Sequence, residues 1–309
     1  MSVLIVKPMA THILITGGSG LIGRHLTEEL LANGYHVSHL SRKASSDKRI
    51  TTYLWNVEKG TIDPACIAEI DVIVHLAGSG IADKHWTPEH KKNLIESRTK
   101  SIRMIYDLLR KSPHHVKSVI SASGTGYYSD RGDEILNEHS PPAQDFFAEC
   151  CIEWEKAVDE GKALGLRVVK FRTGVVLTPD GGALPKLAQP IKLGLGTPLG
   201  NGKQWVSWIH LKDAISIYML AIEENNLNGV FNMVAPEPVT NKQLTKAIAA
   251  QLRRPLWLPP VPAILLKLIF GEMSVVVLGS TRVSSSKIEA AGFKFKYPVV
   301  AEALEEIYG

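Results

Sequence analysis

Apolar positions in the first half of the chain come in short runs that alternate with longer stretches of helical spacing. His12–Thr16 reads as a strand. Leu21–Ala32 reads as a helix ended by Asn33 and Gly34, a C-cap pair. Further strands are expected at 35–40, 52–55, 71–76 (DVIVHL), 116–121 and 167–171. Thr87, Pro88 and Glu89 open a long helix to about residue 110, with Thr87 as N-cap and Pro88 in the first helical position. Another helix is expected over 146–164. Strands with continuous apolar centres, alternating with helices, imply a parallel sheet covered on both faces.

The second half has another texture. Pro and Gly crowd residues 178–202 and read as irregular chain. Asp213 is expected to cap a helix to about 224, followed by a strand at 230–234. Thr240 to Gln243 is a capping box that opens a helix to Leu252, and 255–262 is a Pro-rich connection. A further helical region and residues 290–304 close the chain. The expected division is a dinucleotide-binding domain at 9–178 with a return segment at 205–231. A smaller C-terminal lobe takes 232–309 with 179–204.

Composition narrows the class. Of 309 residues 45% are hydrophobic and 21% charged, which excludes a disordered or fibrous chain. Lys and Arg number 35 against 31 Asp and Glu, and the net charge of +4 is too weak for a nucleic-acid binder. Three cysteines (Cys66, Cys150, Cys151) without a C-x-x-C pair exclude a disulfide scaffold or zinc ribbon and fit a reducing compartment. No metal site is expected. The most apolar stretch, 261–279, is broken by Lys267 and Glu272, short of the run of about 18 apolar residues a membrane span needs. Residues 2–6 are too short an apolar run for a signal peptide, and the first eight residues read as a loose extension. The expectation is a cytoplasmic monomer or homodimer with a small-molecule substrate, no nucleic-acid partner and no membrane partner.

Residues 16–23 read TGGSGLIG. Gly17, Gly20 and Gly23 follow a strand and open a helix. Gly17 permits the tight turn, Gly20 lets the backbone approach a pyrophosphate, and Gly23 lets helix and sheet pack closely. The free N–H groups at the helix start then face an anion. The second strand ends Ser41-Arg42-Lys43 without the acid that binds a ribose hydroxyl in NAD enzymes. A cation pair there suits the 2′-phosphate of NADP, unless it is only a solvated loop. Arg98 falls on the apolar stripe of its helix with Leu94, Ile102, Ile105 and Leu109, and needs either a cofactor phosphate or a core carboxylate. Asn93 lies one turn back. Leu76, Ala77 and Gly78 end the fourth strand, where room for the adenine ribose is needed.

The G-x-x-G-x-x-G spacing resembles the short-chain dehydrogenase/reductase superfamily, and the length and trailing lobe resemble its extended, sugar-nucleotide epimerase-like branch. The resemblance implies a Rossmann-type doubly wound parallel sheet with a smaller C-terminal substrate lobe. It also implies a Ser, a Tyr, and a Lys four residues after the Tyr. Ser123 falls at the serine position, in SASGTGYY, but Phe147 and Cys151 stand where the Tyr and Lys belong. Phe donates no proton and neutral Cys supplies no cation. Tyr127 and Tyr128 follow Ser123 and are candidate substitutes, or else loop aromatics beside the substrate lobe. Cys150 and Cys151 are candidate redox groups or packing residues.

LAGSGIADKHWT, IESR, SASGTGYY, FRTGVVL, GNGKQWVSWIH and AGFKFKYP together resemble one atypical subgroup, which includes human short-chain dehydrogenase family 39U. Its members are described as NADP-binding epimerase-family proteins, sometimes as sugar-nucleotide epimerases or cell-division inhibitors. The resemblance implies that Gly17, Gly18, Ser19, Gly20, Leu21, Ile22, Ser41, Arg42, Leu76, Ala77, Gly78, Asn93, Arg98 and Val176 line the cofactor. It leaves Ser123 and Tyr127 as catalytic candidates. Two functions follow: an NADP(H)-dependent epimerase/dehydratase-like oxidoreductase acting on a small polar or nucleotide-linked substrate, or a non-catalytic NADP(H)-binding redox sensor. His210 reads as a general base or as a group that fixes the loop before its helix. Trp205 and Trp208 read as a cleft wall or a lobe core.

Overall fold

A computed structural model describes residues 11–309. The expectations placed on residues 1–10, a loose extension and no signal peptide, lie outside the described residues. The central sheet is built from β1 (His12–Thr16), β2 (His36–Ser41), β3 (Thr51–Asn56), β4 (Thr61–Ile62), β5 (Val72–His75), β6 (Ser118–Gly124), β7 (Arg167–Thr173) and β8 (Gly229–Met233). Its spatial order is β8-β7-β6-β5-β1-β2-β3-β4. Every neighbouring pair is parallel except β3 with the two-residue β4. The chain winds outward from β1 through β2 to β4, returns to β5 on the other side of β1, and winds outward again to β8. This is the Rossmann-type doubly wound sheet, and its direction reverses between β1 and β5. Ligands bind at the carboxyl ends of the strands at such a switch point.

Helices cover both faces, as the continuous apolar strands require. α1 (Leu21–Ala32) and α5 (Leu211–Glu223) pack on one face, with Leu26, Leu30, Ile217 and Tyr218 against Ile13, Ile15 and Val74. α2 (Pro88–Lys111) and α3 (Phe146–Asp159) pack on the other, with Ile102, Ile105, Trp154 and Val158 against Leu14, Ile73 and Val119. Thr87 caps α2 by accepting the His90 N–H at 3.2 Å. The stretch expected as one helix over 146–164 is α-helical to Asp159, tightens into a 3₁₀ turn at Glu160–Leu164, and stops at Gly165 in the left-handed region.

Two expectations are corrected. The Pro- and Gly-rich 178–202 stretch holds a helix, α4 (Ala183–Lys192). Pro185 sits in its first turn, where no helical N–H partner exists, and Pro190 lies near its end. Leu184, Ala188 and Ile191 are its buried stripe, and the prolines masked that pattern. α5 is capped by His210, whose Nδ1 accepts the Lys212 N–H at 3.2 Å, and not by Asp213. Asp213 instead accepts the N–H groups of Lys296 and Tyr297 at 2.9 and 3.0 Å, tying the C-terminal segment to α5. The capping box at Thr240 opens α6 (Asn241–Gln251) as expected. α4, α6 and the last helix, Val300–Tyr308, share a separate core with Trp208 and Leu177.

Asp213 is 1% exposed, so removing its carboxylate strands the buried Tyr297 N–H and the part-buried Lys296 N–H. Asp213→Ala should lower unfolding stability by about 2–4 kcal/mol, read as a lower urea midpoint with an unchanged slope. An unchanged midpoint would show that this tie contributes little.

Candidate functional site

At the switch point, Gly17 turns the chain from β1 into α1 with φ of 72°. A Cβ there would lie 2.9 Å from both the carbonyl carbon and the oxygen of Leu76. The ends of β1 and β5 therefore approach as only glycine allows. A Cβ on Gly23 would lie 2.4 Å from the Gly17 oxygen, so α1 starts directly on the turn. Gly20 is the N-cap of α1, no side chain caps it, and the first turn has no acidic residue. The first N–H groups of α1 are thus open to an anion.

These elements form a cleft of about 540 Å³ whose wall includes Gly17, Gly18, Ser19 and Gly20 from the turn. Ser41 and Arg42 line it at the end of β2, with Leu76, Ala77 and Gly78 at the end of β5 and Asn93 on α2. Asn93 Oδ1 accepts from Ser79 Oγ at 2.8 Å. Among the described residues, Arg42 is in no ion pair. A side-chain-free turn at an uncapped helix start, with a cation at the end of β2, fits the pyrophosphate and ribose phosphate of a dinucleotide. Sequence reasoning missed Trp55, Asn56, Val57 and Glu58 at the end of β3, and Glu96, Ser97 and Lys100 on α2. The end of β3 lies beside β2 in the sheet, which was the only signal for it.

A second cavity of about 320 Å³ opens beyond Gly78. It is lined by Ser123, Phe147 and Cys151, with Arg98, Trp154 and Trp205 among its other walls. The three residues assigned to the Ser, Tyr and Lys positions thus line one cavity. Ser123 Oγ donates to Glu155 Oε1 at 2.8 Å. Arg172 holds the same carboxylate by two bonds, Nε to Oε1 at 2.8 Å and Nη2 to Oε2 at 3.0 Å. Burial works against the Arg172 charge, but Glu155 outweighs it and holds the guanidinium firmly protonated. Lys170 stands 3.6 Å from Glu155 and bonds Asp159 at 2.8 Å. Glu155 anchors Ser123. In the sequence it was legible only as part of the W-E pair, Trp154 and Glu155, that goes with the subgroup resemblance, and no role was assigned to it.

Not every expected residue reaches the cleft. Ile22 and Val176 pack against the first core, and Leu21 faces Gly181 and Gly182. Arg98 lines the second cavity and not the cleft. Its Nη1 donates to the Leu94 carbonyl and its Nη2 to the Ser79 carbonyl, both at 2.8 Å. Among the described residues it meets no carboxylate, and it stacks 4.9 Å over the Trp154 ring. Tyr127 lines neither space, because its ring lies 3.3 Å from the Arg172 guanidinium carbon. Tyr128 is fully buried, its hydroxyl donating to Asn232 at 2.7 Å and accepting from Arg172 at 3.0 Å. Burial pushes that phenol up to about 12. Burial also pushes up the thiols of Cys150 and Cys151, which suits packing and not redox chemistry. His210 caps its helix, and Glu306 bonds its other nitrogen at 2.9 Å, so it fixes this segment. Trp205 is cavity wall and Trp208 lobe core.

Residues 13–233 match the family model of the NAD dependent epimerase/dehydratase family. The chain belongs to that family. Residues 261–307 match a second model, a domain of unknown function, DUF1731. An epimerase family protein of Staphylococcus aureus is 35% identical over 299 residues, covering 95% of this chain and 98% of that protein. The crystal structure of the human epimerase family protein SDR39U1 (isoform 2) with NADPH matches at 31% identity and a TM-score of 0.86. That match covers 96% of this chain and 99% of the human one. A nucleoside-diphosphate sugar epimerase of Corynebacterium glutamicum matches at 33% identity and a TM-score of 0.80, covering 97% of this chain and 58% of that one. The epimerase/dehydratase match runs from within β1 to the end of β8, across the whole doubly wound sheet.

Behind the second cavity, His75 at the end of β5 orients Trp154. Its Nε2 bonds Ser101 Oγ at 2.9 Å, and Ser101 Oγ donates onward to the Arg98 carbonyl. Nε2 therefore carries the proton, and Nδ1 accepts from Trp154 Nε1 at 3.4 Å. Burial, with Arg98 nearby, pushes the His75 imidazole down to about 3. The unfolded chain takes up a proton at this residue below its ordinary value of 6.5, and the folded chain does not until about 3. Stability from this group is present above pH 6.5 and lost as pH falls through that window. The slope should approach ~1.4 kcal/mol per pH unit. Unfolding free energies of wild type and His75→Gln between pH 7 and 4 (about the window) should diverge by that slope. Parallel curves would mean that His75 is charged in the folded protein.

Proposed function

We propose that this chain binds NADP(H) in the cleft at the β1–β5 switch point and uses it on a small substrate in the second cavity. The observation that carries the reading is that the two spaces are neighbours, with Gly78 of one packed on Arg98 of the other. Gly78 lines the cleft, and a Cβ on it would lie 3.0 Å from the Arg98 side chain, which lines the cavity with Ser123. The NADPH held by the human relative supports the choice of cofactor. So does Arg42 at the end of β2, where no acid stands. Residues 9–178 with 205–231 carry the cofactor on this reading, and 232–309 with 179–204 close the substrate side.

NADP(H), when bound, supplies hydride transfer. The α1 N-terminus and Gly17 to Gly20 hold its pyrophosphate, and Arg42 holds its 2′-phosphate. Ser123 holds the substrate oxygen by turning toward it the proton it otherwise gives Glu155, which Arg172 and Lys170 keep partnered. Arg98 provides the fixed positive charge that Cys151 cannot. The cavity wall is mostly apolar, with Ile81, Phe147, Trp154, Val175 and Trp205, and favours a compact substrate over a nucleotide-linked one. The buried hydroxyl of Tyr128 and the stacked ring of Tyr127 take no part. Phe147 and Cys151 in the wall also favour a second reading, a non-catalytic NADP(H) sensor.

Calorimetric titration should show NADPH bound more tightly than NADH, with most of that preference lost in Arg42→Ala. Gly20→Val should lose binding while the circular dichroism spectrum is unchanged, since no positive φ is required at Gly20 and its Cβ would meet only the Gly17 oxygen, at 3.1 Å. Equal affinities in wild type would remove the argument from Arg42.

A panel of carbonyl substrates with NADPH separates the two functions. Turnover should fall about 100- to 1000-fold in Ser123→Ala and stay near wild type in Tyr127→Phe. NADPH binding with no turnover across the panel would support the sensor.

A further inference from the structure

The stretch too interrupted to span a membrane carries the most exposed apolar surface of the molecule. Helix α7 (Ala263–Phe270) reads AILLKLIF and buries only Leu266. Ile264 is 79% exposed, Leu265 45%, Leu268 83% and Ile269 51%. At about 100° per residue these four occupy one continuous arc of roughly 140° on the helix. A helix of this composition is normally covered. The apolar surface continues beyond α7. Trp257, 69% exposed, donates from Nε1 to the Gly194 carbonyl at 3.1 Å, between the exposed Leu193 and Leu195. The two segments run side by side, Gly200 N–H bonding the Val261 carbonyl at 2.9 Å and Val261 N–H the Pro198 carbonyl at 3.0 Å.

Charge in this region is segregated although the whole chain is nearly balanced. Residues 181–203 and 238–271 hold eight Lys and Arg and not one Asp or Glu. All eight are exposed, including Arg253 and Arg254 just before the Pro-rich connection and Lys267 on α7 itself. Glu272, the next acid along the chain, is paired with Lys91.

A second copy of the chain is a poor partner. An isologous contact through α7 would set Lys267 against its own copy, with no acidic residue on α7 to pair it. An anionic bilayer answers both features, because apolar side chains enter the acyl boundary, Trp sits at the headgroups, and Lys and Arg meet lipid phosphates. We propose that α7, with Trp257 and the 193–195 loop, is a reversible docking surface for an anionic lipid bilayer. The chain would lie on the membrane and not cross it, since no helix among the described residues is long and apolar enough to do so. This revises the expectation of no membrane partner, which weighed only spans.

The test is co-sedimentation of the full chain with vesicles of phosphatidylcholine alone or mixed with phosphatidylglycerol. The chain should bind the mixed vesicles, bind the neutral ones little, and release as salt is raised. Leu268→Glu, and separately the pair Arg253→Glu and Arg254→Glu, should each weaken binding at least about tenfold. Leu268→Trp should retain it. All variants should keep the wild-type circular dichroism spectrum and NADPH titration, because the altered side chains are exposed. No vesicle binding, or equal binding to neutral vesicles, overturns the proposal. So does a dimer in light scattering that Leu268→Glu dissociates with no vesicle binding, which would assign the face to a second copy. Capture by soluble polyglutamate but not by vesicles would assign it to an acidic protein and overturn the proposal equally.

Discussion

The close approach between the end of β1 and the end of β5 sets where everything else in this molecule can be. Gly17 presses against the Leu76 carbonyl at a distance no side chain tolerates, and it does so in a left-handed conformation. From that contact the chain must leave as a helix, and Gly23 lets the helix begin on the turn itself. The consequence is a helix start with open N–H groups, at the point where the winding of the sheet reverses. The cleft is the space those constraints leave. Arg42 reaches it because β2 is the next strand over, and Asn93 because α2 crosses the end of β5.

Buried charge organises the neighbouring cavity in two different ways. Glu155 is surrounded by Arg172, Lys170 and Ser123, so its charge is fully partnered, and Ser123 is oriented by a rigid carboxylate. Arg98 has no carboxylate. It spends its hydrogen bonds on two backbone carbonyls and keeps its charge, against an aromatic face, at the cavity wall. The cavity wall thus sets this guanidinium beside the hydroxyl residues Ser123, Thr125 and Ser207 and the apolar Ile81, Phe147 and Val175. That arrangement differs from the tyrosine and lysine relay the family resemblance implies, and it draws its groups from α2, α3 and β6 together.

The small lobe shows how little an average charge says about a surface. Acidic residues are absent from residues 181–203 and from 238–271, which contain α7, and the balance is made up elsewhere in the chain. The same segments carry the exposed apolar side chains, so cationic and apolar residues coincide along the chain there.

The doubly wound fold was legible in the sequence, because strand period, helix caps and the glycine turn are local signals that all point to one sheet. The cleft residues from Gly17 to Gly20, Ser41, Arg42 and Leu76 to Gly78 were legible for the same reason, since each lies at a strand end. Helix α4 was not, because prolines tolerated in a first turn look the same in sequence as prolines that break a helix. Nor was the placement of Tyr127 and Tyr128. Nearness to Ser123 along the chain suggested a proton relay, but the turn after β6 sends both rings toward Arg172 and Asn232. Arg98 bonds a carbonyl of its own helix and one at Ser79, the partners of Glu155 and Asp213 lie on other elements, and no local pattern names them. Sequence determined the elements and the residue types at the strand ends. Tertiary structure alone decided which buried charge met a carboxylate, which met carbonyls, and which apolar helix was left uncovered, because those outcomes depend on contacts between segments far apart in the chain.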